Sequence, residues 1–161
     1  MDLARSGASN VETGLPVLDH LLDTLARYAE WTIALEVEPG TGEAEADEAG
    51  KALGAALRDL IRAGRGYGYA SMTDSEALAS VVLERSEQPL VVTNVDLTGA
   101  RVAGLGTDVA RRFLDRFAEA ASVTLHVRLL NGTDTQHVLE AIFKALGVAL
   151  AQACATEGAR A

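Results

Sequence analysis

Three histidines stand in this chain, at His20, His126 and His137. A lone histidine on a half-buried helix or strand is ordinarily a hydrogen-bonded structural residue, so their surroundings decide what they mean. His137 and Glu140 are three residues apart near the start of a predicted helix, which puts both on one side within a turn. An imidazole and a carboxylate at that spacing can chelate one metal ion. Lys144 lies one turn beyond Glu140 on the same face, where it offers either a cation for a substrate or an i,i+4 ion pair. The single cysteine, Cys154, excludes an internal disulfide framework and a cysteine zinc site. The glycine-rich stretch from Arg62 to Gly68 lacks the GxxxxGK[ST] spacing of a phosphate loop and reads as a turn.

Composition narrows the classes of function. The 161 residues suit one domain or a compact two-lobed unit, and 48% hydrophobic content supports a real core. Aromatics are only 4%, so that core is built from Ala, Leu and Val, and stacking platforms for bases are not expected. A net charge of -9 is the wrong sign for a nucleic-acid partner or an anionic membrane surface. No apolar run reaches the ~20 residues of a membrane helix, and the amino terminus lacks a signal-peptide core. A soluble cytoplasmic protein is the expectation.

The elements that would position these residues come in two copies. Lys51-Ala-Leu-Gly-Ala-Ala-Leu57 returns as Lys144-Ala-Leu-Gly-Val-Ala-Leu150, an offset of 93. Upstream, Leu22-Asp23 matches Leu114-Asp115 and Trp31-Thr32 matches Val123-Thr124, an offset of 92. The first copy predicts a helix over 16–30 with proline near its start, a strand over 31–37 and a helix over 45–63 closed by Gly64. The second predicts a helix over 107–121, a strand over 123–130 and a helix over 134–156 capped by Thr133 or Asp134. Between them, 67–72, 78–85 and 90–97 read as two or three antiparallel strands. The pattern is α+β, an internally duplicated two-lobed fold of mixed sheets with helices on one face of each. The offset of 93 carries Gln136, His137 and Glu140 onto Glu43, Ala44 and Asp47, so both copies put polar groups at a helix entrance. In the first copy, carboxylates that complement the helix dipole explain the pattern equally well.

Thr13-Gly-Leu-Pro-Val-Leu-Asp-His-Leu-Leu-Asp23 is similar to the T-G-x-x-F-L-D-H-M-L-D motif of imidazoleglycerol-phosphate dehydratases. Val123-Thr-Leu-His-Val-Arg128 resembles their L-T-L-H-x-R strand, and Gln136-His-Val-Leu-Glu-Ala-Ile-Phe-Lys-Ala145 their H-H-x-x-E-x-x-F-K-A helix. Arg101-Val102 sits where the family has Arg-Val. The likeness runs through nearly the whole chain in order. It implies one dehydratase-like domain over residues 1–161, with repeats at about 13–72 and 78–156. It implies a carbon–oxygen lyase of histidine biosynthesis that removes water from a small-molecule phosphate substrate. It also implies paired manganese ions and sites between subunits of a large symmetric homo-oligomer.

The departures from that pattern are specific. The six histidine positions of the family read His20, Glu43, Ala44, His126, Gln136 and His137, and its two glutamate positions read Asp47 and Glu140. All three histidines of the chain thus fall on ligand positions. Tyr28 also stands where the family has a histidine, and Tyr69 where it has a phosphate-holding arginine. Its amino-terminal glutamate strand and its S-S-K-G loop have no counterpart in the sequence. The resemblance therefore implies metal ligation by His20, His126, His137 and Glu140, with Glu43 and Asp47 in partial compensation. It implies catalytic roles for Glu140 and Lys144, and substrate binding by Arg101 and Lys144. One manganese ion or none per chain is expected, with another divalent metal as the alternative, and with reduced or altered activity. The alternatives are a non-catalytic paralogue serving as structural or regulatory partner, or a small-molecule binder with one surviving metal.

Overall fold

The structure is a computed structural model that describes residues 2–4, 9–96, 101–102 and 105–156, with side chains described over 9–96 and 108–156. In chain order the elements are β1 (Asp2–Ala4), β2 (Asn10–Glu12), α1 (Pro16–Ala29), β3 (Thr32–Glu36), α2 (Glu43–Ala63), β4 (Tyr67–Asp74), β5 (Ala77–Arg85), β6 (Leu90–Thr93), β7 (Arg101–Val102), β8 (Leu105–Gly106), α3 (Thr107–Ala121), β9 (Val123–Asn131) and α4 (Thr135–Cys154). The third expected strand, 90–97, is corrected: it ends at Thr93 and pairs in parallel with β9, not antiparallel, while Leu97 lies outside the described residues.

Local chemistry explains the helix boundaries. Pro16 occupies the first turn of α1, and Glu30 ends that helix in the left-handed region at φ 59°. Asp134 caps α4 by accepting from the backbone N–H groups of Gln136 and His137. Glu45 turns back to accept from Gly42 N at 3.0 Å, which fixes the start of α2 two residues ahead of the sequence expectation.

Among the described residues three sheets form, ordered β1-β3-β2, β4-β5-β9-β6 and β7-β8. The duplication shows in the first two. Strand β3 pairs antiparallel with β1 and parallel with β2, as β9 pairs antiparallel with β5 and parallel with β6. The expectation that the family's amino-terminal strand has no counterpart is corrected here: Asp2–Ala4 and Asn10–Glu12 flank β3 on both sides. These segments are only three residues each, too short to register as periodicity.

Alternation along β5 and β9 sends Ala79, Val81, Leu83, Leu125 and Val127 into the core beneath the helices. Phe113, Phe117 and Phe143 stack at its centre. The opposite face of the four-stranded sheet is open, and Tyr69, Val82, His126 and Val92 form one register row across all four strands. Helix α4 is long and apolar enough to cross a membrane by length and composition, but it is mostly buried among the other elements and serves as the core helix.

Glycines set the helix crossings. A Cβ at Gly54 of α2 would stand 2.6 Å from the Phe117 carbonyl of α3, and one at Gly147 of α4 would stand 2.3 Å from the Leu25 carbonyl of α1. Gly54 and Gly147 are counterparts in the repeat, as are Leu25 and Phe117. The second helix of each copy therefore packs on the first helix of the other at backbone contact. Gly147→Ala is expected to destabilise by about 1–3 kcal/mol through forced separation of the helices, although alanine in an unconstrained helix gains ~0.5–1 kcal/mol over glycine. Urea denaturation checks this: the midpoint falls if the contact is as close as described and rises if propensity dominates.

Candidate functional site

The α1–α4 crossing aligns two helical faces. On α1, His20, Thr24 and Arg27 follow one another at i, i+4 and i+7, and on α4 Glu140 and Lys144 stand one turn apart. Glu140 is only 8% exposed, and a carboxylate so placed needs donors or a cation. The Thr24 hydroxyl, fully buried, donates to Glu140 Oε2 at 3.3 Å, and Arg27 Nη2 donates to Thr24 Oγ1 at 3.5 Å. His20 Nε2 stands 2.5 Å from Glu140 Oε1, yet that oxygen, sealed from solvent, makes no aligned hydrogen bond among the described residues. A ring nitrogen and an unsatisfied carboxylate oxygen thus converge at one end of a cleft of about 210 Å³, which Leu21 and Gln136 also line. The His20 side chain is 55% exposed, so the convergence opens to solvent.

The other sequence-derived candidates lie elsewhere. His137 turns to the hairpin between β4 and β5, where Nδ1 meets both Glu76 carboxylate oxygens at 2.9 Å. Glu76 raises the His137 pKa from 6.5 by hydrogen bonding, and His137 in turn lowers that of Glu76 from 4.5. Lys144 Nζ donates to Asp74 Oδ1 at 2.9 Å and to Thr73 O at 3.1 Å, and lies 5.5 Å from the centre of the Tyr28 ring. The Asp74 contact raises its pKa and keeps it cationic. Asp47 is bound by Arg112 at 2.7 Å and approached by Arg116 at 3.5 Å, both from α3. Glu43 is exposed in the first turn of α2 beside Ala44. His126 stands in the open row of the sheet, across it from the helices. Arg101 belongs to β7, and its side chain lies outside the described residues. Among the described residues of one chain, no three His, Cys, Asp or Glu side chains converge as a metal cluster.

Sequence spacing did not single out Thr24, Arg27, Asp74 or Glu76. The first two carried a signal, since they follow His20 at helical spacing. Asp74 and Glu76 carried none, because only the β4–β5 turn folds them onto α4. Cys154 is chemically quiet: burial pushes its thiol up to about 12.

The profile of the family described as imidazoleglycerol-phosphate dehydratase matches residues 13–150, which span every site element just described. The chain belongs to this family. A dehydratase of that name from Eremothecium gossypii is 37% identical over 158 residues, covering 92% of this chain and 70% of the relative. One from Aromatoleum aromaticum is 36% identical over 159 residues, covering 95% and 82%. The crystal structure of the Staphylococcus aureus dehydratase superposes with a TM-score of 0.86 at 26% identity, over 96% of this chain and 91% of that one. The Pyrococcus furiosus dehydratase in complex with (S)-C348 gives 0.86 at 25%, over 97% and 89%. The imidazoleglycerol-phosphate dehydratase fold, α+β and duplicated, is therefore that of this chain.

Two outcomes test the site's electrostatics. Thr24→Val deprives Glu140 Oε2 of its donor and is expected to cost about 1–3 kcal/mol, while Thr24→Ser restores most of it; equal denaturation midpoints for wild type and Thr24→Val would contradict this. The His137 contribution is fully present below its unfolded pKa and is lost as pH rises through its raised folded value. The Glu76 contribution is present above 4.5 and is lost as pH falls through its lowered folded value. The Tm difference between wild type and Glu76→Gln should therefore be greatest between about pH 5 and 6.5 and shrink toward pH 8.5. A difference that grows with pH would contradict the pairing.

Proposed function

We propose that this chain is a hydro-lyase that dehydrates imidazoleglycerol phosphate or a closely similar phosphate ester, with turnover below that of a fully liganded family member. The observation that carries this reading is the convergence of His20 Nε2 on the buried Glu140 Oε1, which makes no aligned hydrogen bond among the described residues. Such an atom is costly unless a cation meets it, and carboxylate with imidazole is a donor pair that suits manganese. His20 and Glu140 would hold the ion. When bound, it supplies positive charge against which an imidazole substrate loses a proton and expels hydroxide.

The chain's own groups do the rest. Thr24 holds one Glu140 oxygen, and the other meets the His20 ring. Lys144, kept protonated by Asp74, presents its charge one turn from Glu140, where a phosphate tail can exchange for the Asp74 contact. Arg101 is the second phosphate-holding cation in this reading. Glu43 and Asp47 stand at ligand positions of the first repeat, and His126 and His137 complete the set from neighbouring subunits. That arrangement requires a homo-oligomer, and the open apolar row around His126 is the surface that supports one. No role for nucleic acid or membrane enters, and the compartment in this reading is the cytoplasm.

Reduced turnover follows from the donor count, because three imidazoles stand at six positions. A second reading, a non-catalytic member that partners a complete subunit, is favoured by one fact: no third ligand-type side chain of the same chain joins His20 and Glu140 among the described residues.

The test is a dehydratase assay of the purified protein with excess manganese, together with rescue of a histidine auxotroph lacking its dehydratase. The expected result is manganese-dependent turnover at least a hundredfold below the median enzyme's ~10 per second, abolished by Glu140→Gln. Absence of any turnover, with rescue only beside a complete subunit, would establish the second reading instead.

A further inference from the structure

The two helix crossings carry one polar network in two chemistries. The offset of 92 that relates α1 to α3 places Arg112 on His20, Arg116 on Thr24 and Glu119 on Arg27. The offset of 93 that relates α2 to α4 places Asp47 on Glu140. The contacts repeat with the positions. At the α1–α4 crossing His20 reaches one carboxylate oxygen of Glu140, Thr24 donates to the other, and Arg27 donates to Thr24. At the α2–α3 crossing Arg112 Nη2 donates to Asp47 Oδ2 at 2.7 Å and Arg116 Nε stands 3.5 Å from Oδ1. Glu119 then accepts from Arg116 Nη1 at 3.1 Å.

The difference lies in what each partner can offer. An imidazole can give a ring lone pair to a metal ion. A guanidinium has donors and no acceptor, and it stays charged at any working pH. Asp47 raises the Arg112 pKa further, with Glu43 and Asp108 adding to the effect. A divalent ion brought to Asp47 would meet two guanidiniums attached to the same carboxylate, and charges of one sign that close repel. The residues of the first repeat therefore do not fit a divalent ion as they stand. The exchange also fits in size. Asp47 is a methylene shorter than Glu140, and arginine is longer than histidine, so the pair still closes across a crossing set by glycine. Of the three arginines that follow one another closely on α3, only those at the His20 and Thr24 positions reach across to α2. Arg111 pairs within its own helix, with Asp115.

We propose that Arg112, steadied by Arg116, is a built-in cation that takes the place of a divalent metal ion in the first repeat. Its guanidinium neutralises Asp47 from the position at which His20 approaches Glu140. Arg112 is thus the residue that sets how many metal ions a chain can hold. The proposal rests on the reading of His20 and Glu140 only for which half stays open to metal; the exclusion at Asp47 stands on its own contacts. Histidine at 112 with threonine at 116 would rebuild the α1–α4 donor set at the α2–α3 crossing. Glu43, one turn ahead of Asp47 on the same helix face, would then stand as a further carboxylate donor.

Electron paramagnetic resonance counts the ions, because Mn²⁺ that binds is lost from the free-ion signal. The comparison is made in a Glu140→Gln background, which removes the α1–α4 carboxylate. There, Arg112→His/Arg116→Thr should bind about one more Mn²⁺ per chain than Glu140→Gln alone, and adding Asp47→Asn should remove that ion. Arg112→Lys, which keeps a cation at the position, should gain none. In the otherwise unaltered chain, Asp47→Asn should leave the Mn²⁺ count unchanged, a measurement that serves even where the double variant does not fold. An Arg112→His/Arg116→Thr protein that melts cooperatively and gains no ion would overturn the proposal. So would an added ion that survives Asp47→Asn, a gain with Arg112→Lys, or loss of an ion from the unaltered chain on Asp47→Asn. The reading of Glu140 fails separately, by equal Mn²⁺ counts in wild type and Glu140→Gln.

Discussion

The contact between Gly147 and the Leu25 carbonyl governs where the chemistry can occur. It lets α1 and α4 cross at backbone distance, and the crossing fixes which turns of the two helices face each other. Counting back along α4 from Gly147, the same face carries Lys144 and Glu140. Counting back along α1 from Leu25, Thr24 and His20 come opposite them. A larger residue at Gly147 would hold the helices apart and withdraw both the Thr24 hydroxyl and the His20 ring from Glu140. The second crossing, Gly54 on the Phe117 carbonyl, repeats the device in the other half. There, the first turn of α2 carries Glu43, Ala44 and Asp47, and Asp47 is neutralised by Arg112 and Arg116 of α3. One fold built twice thus offers a carboxylate facing an imidazole in one half and a carboxylate paired with two guanidiniums in the other.

This asymmetry carries the functional reading. A buried carboxylate oxygen met by a single imidazole and no aligned hydrogen bond is poorly satisfied, and a bound cation would improve it. Glu140 Oε1 and His20 Nε2 occupy that position. Asp47 Oδ1 is also sealed without a hydrogen bond, but its charge is already met by two guanidiniums. A cation there would have to displace them. The metal site proposed for this chain is therefore assigned to the α1–α4 side.

Much of the architecture is legible in the residues themselves. The offset of 92 to 93 exposes the duplication, and apolar spacing marks all four helices to within about two residues at each boundary, as expected for helix ends. The short strands β1 and β2 are hidden because three residues cannot show a period. The site is legible only in part. His137 and Glu140, three apart on α4, read as a chelating pair, but the helix turns His137 to Glu76 while Glu140 faces α1. Spacing along one helix gives angular separation and not what each side chain meets. The partners that decide, Thr24 from α1 and Glu76 from the β4–β5 turn, come from other segments, and long-range pairing leaves no trace in local spacing. His126 shows the same limit: strand alternation puts it on the open face, and only the sheet's register shows that Tyr69, Val82 and Val92 share its row.

The central claim is that His20 and Glu140 form the nucleus of a divalent metal site. Anomalous X-ray scattering at the manganese edge, from crystals grown with manganese, locates the ion directly. The account predicts a peak bonded to His20 Nε2 and Glu140 Oε1 that disappears in Glu140→Gln. A peak at Glu76 and His137, or none near Glu140 at saturating manganese, would contradict it.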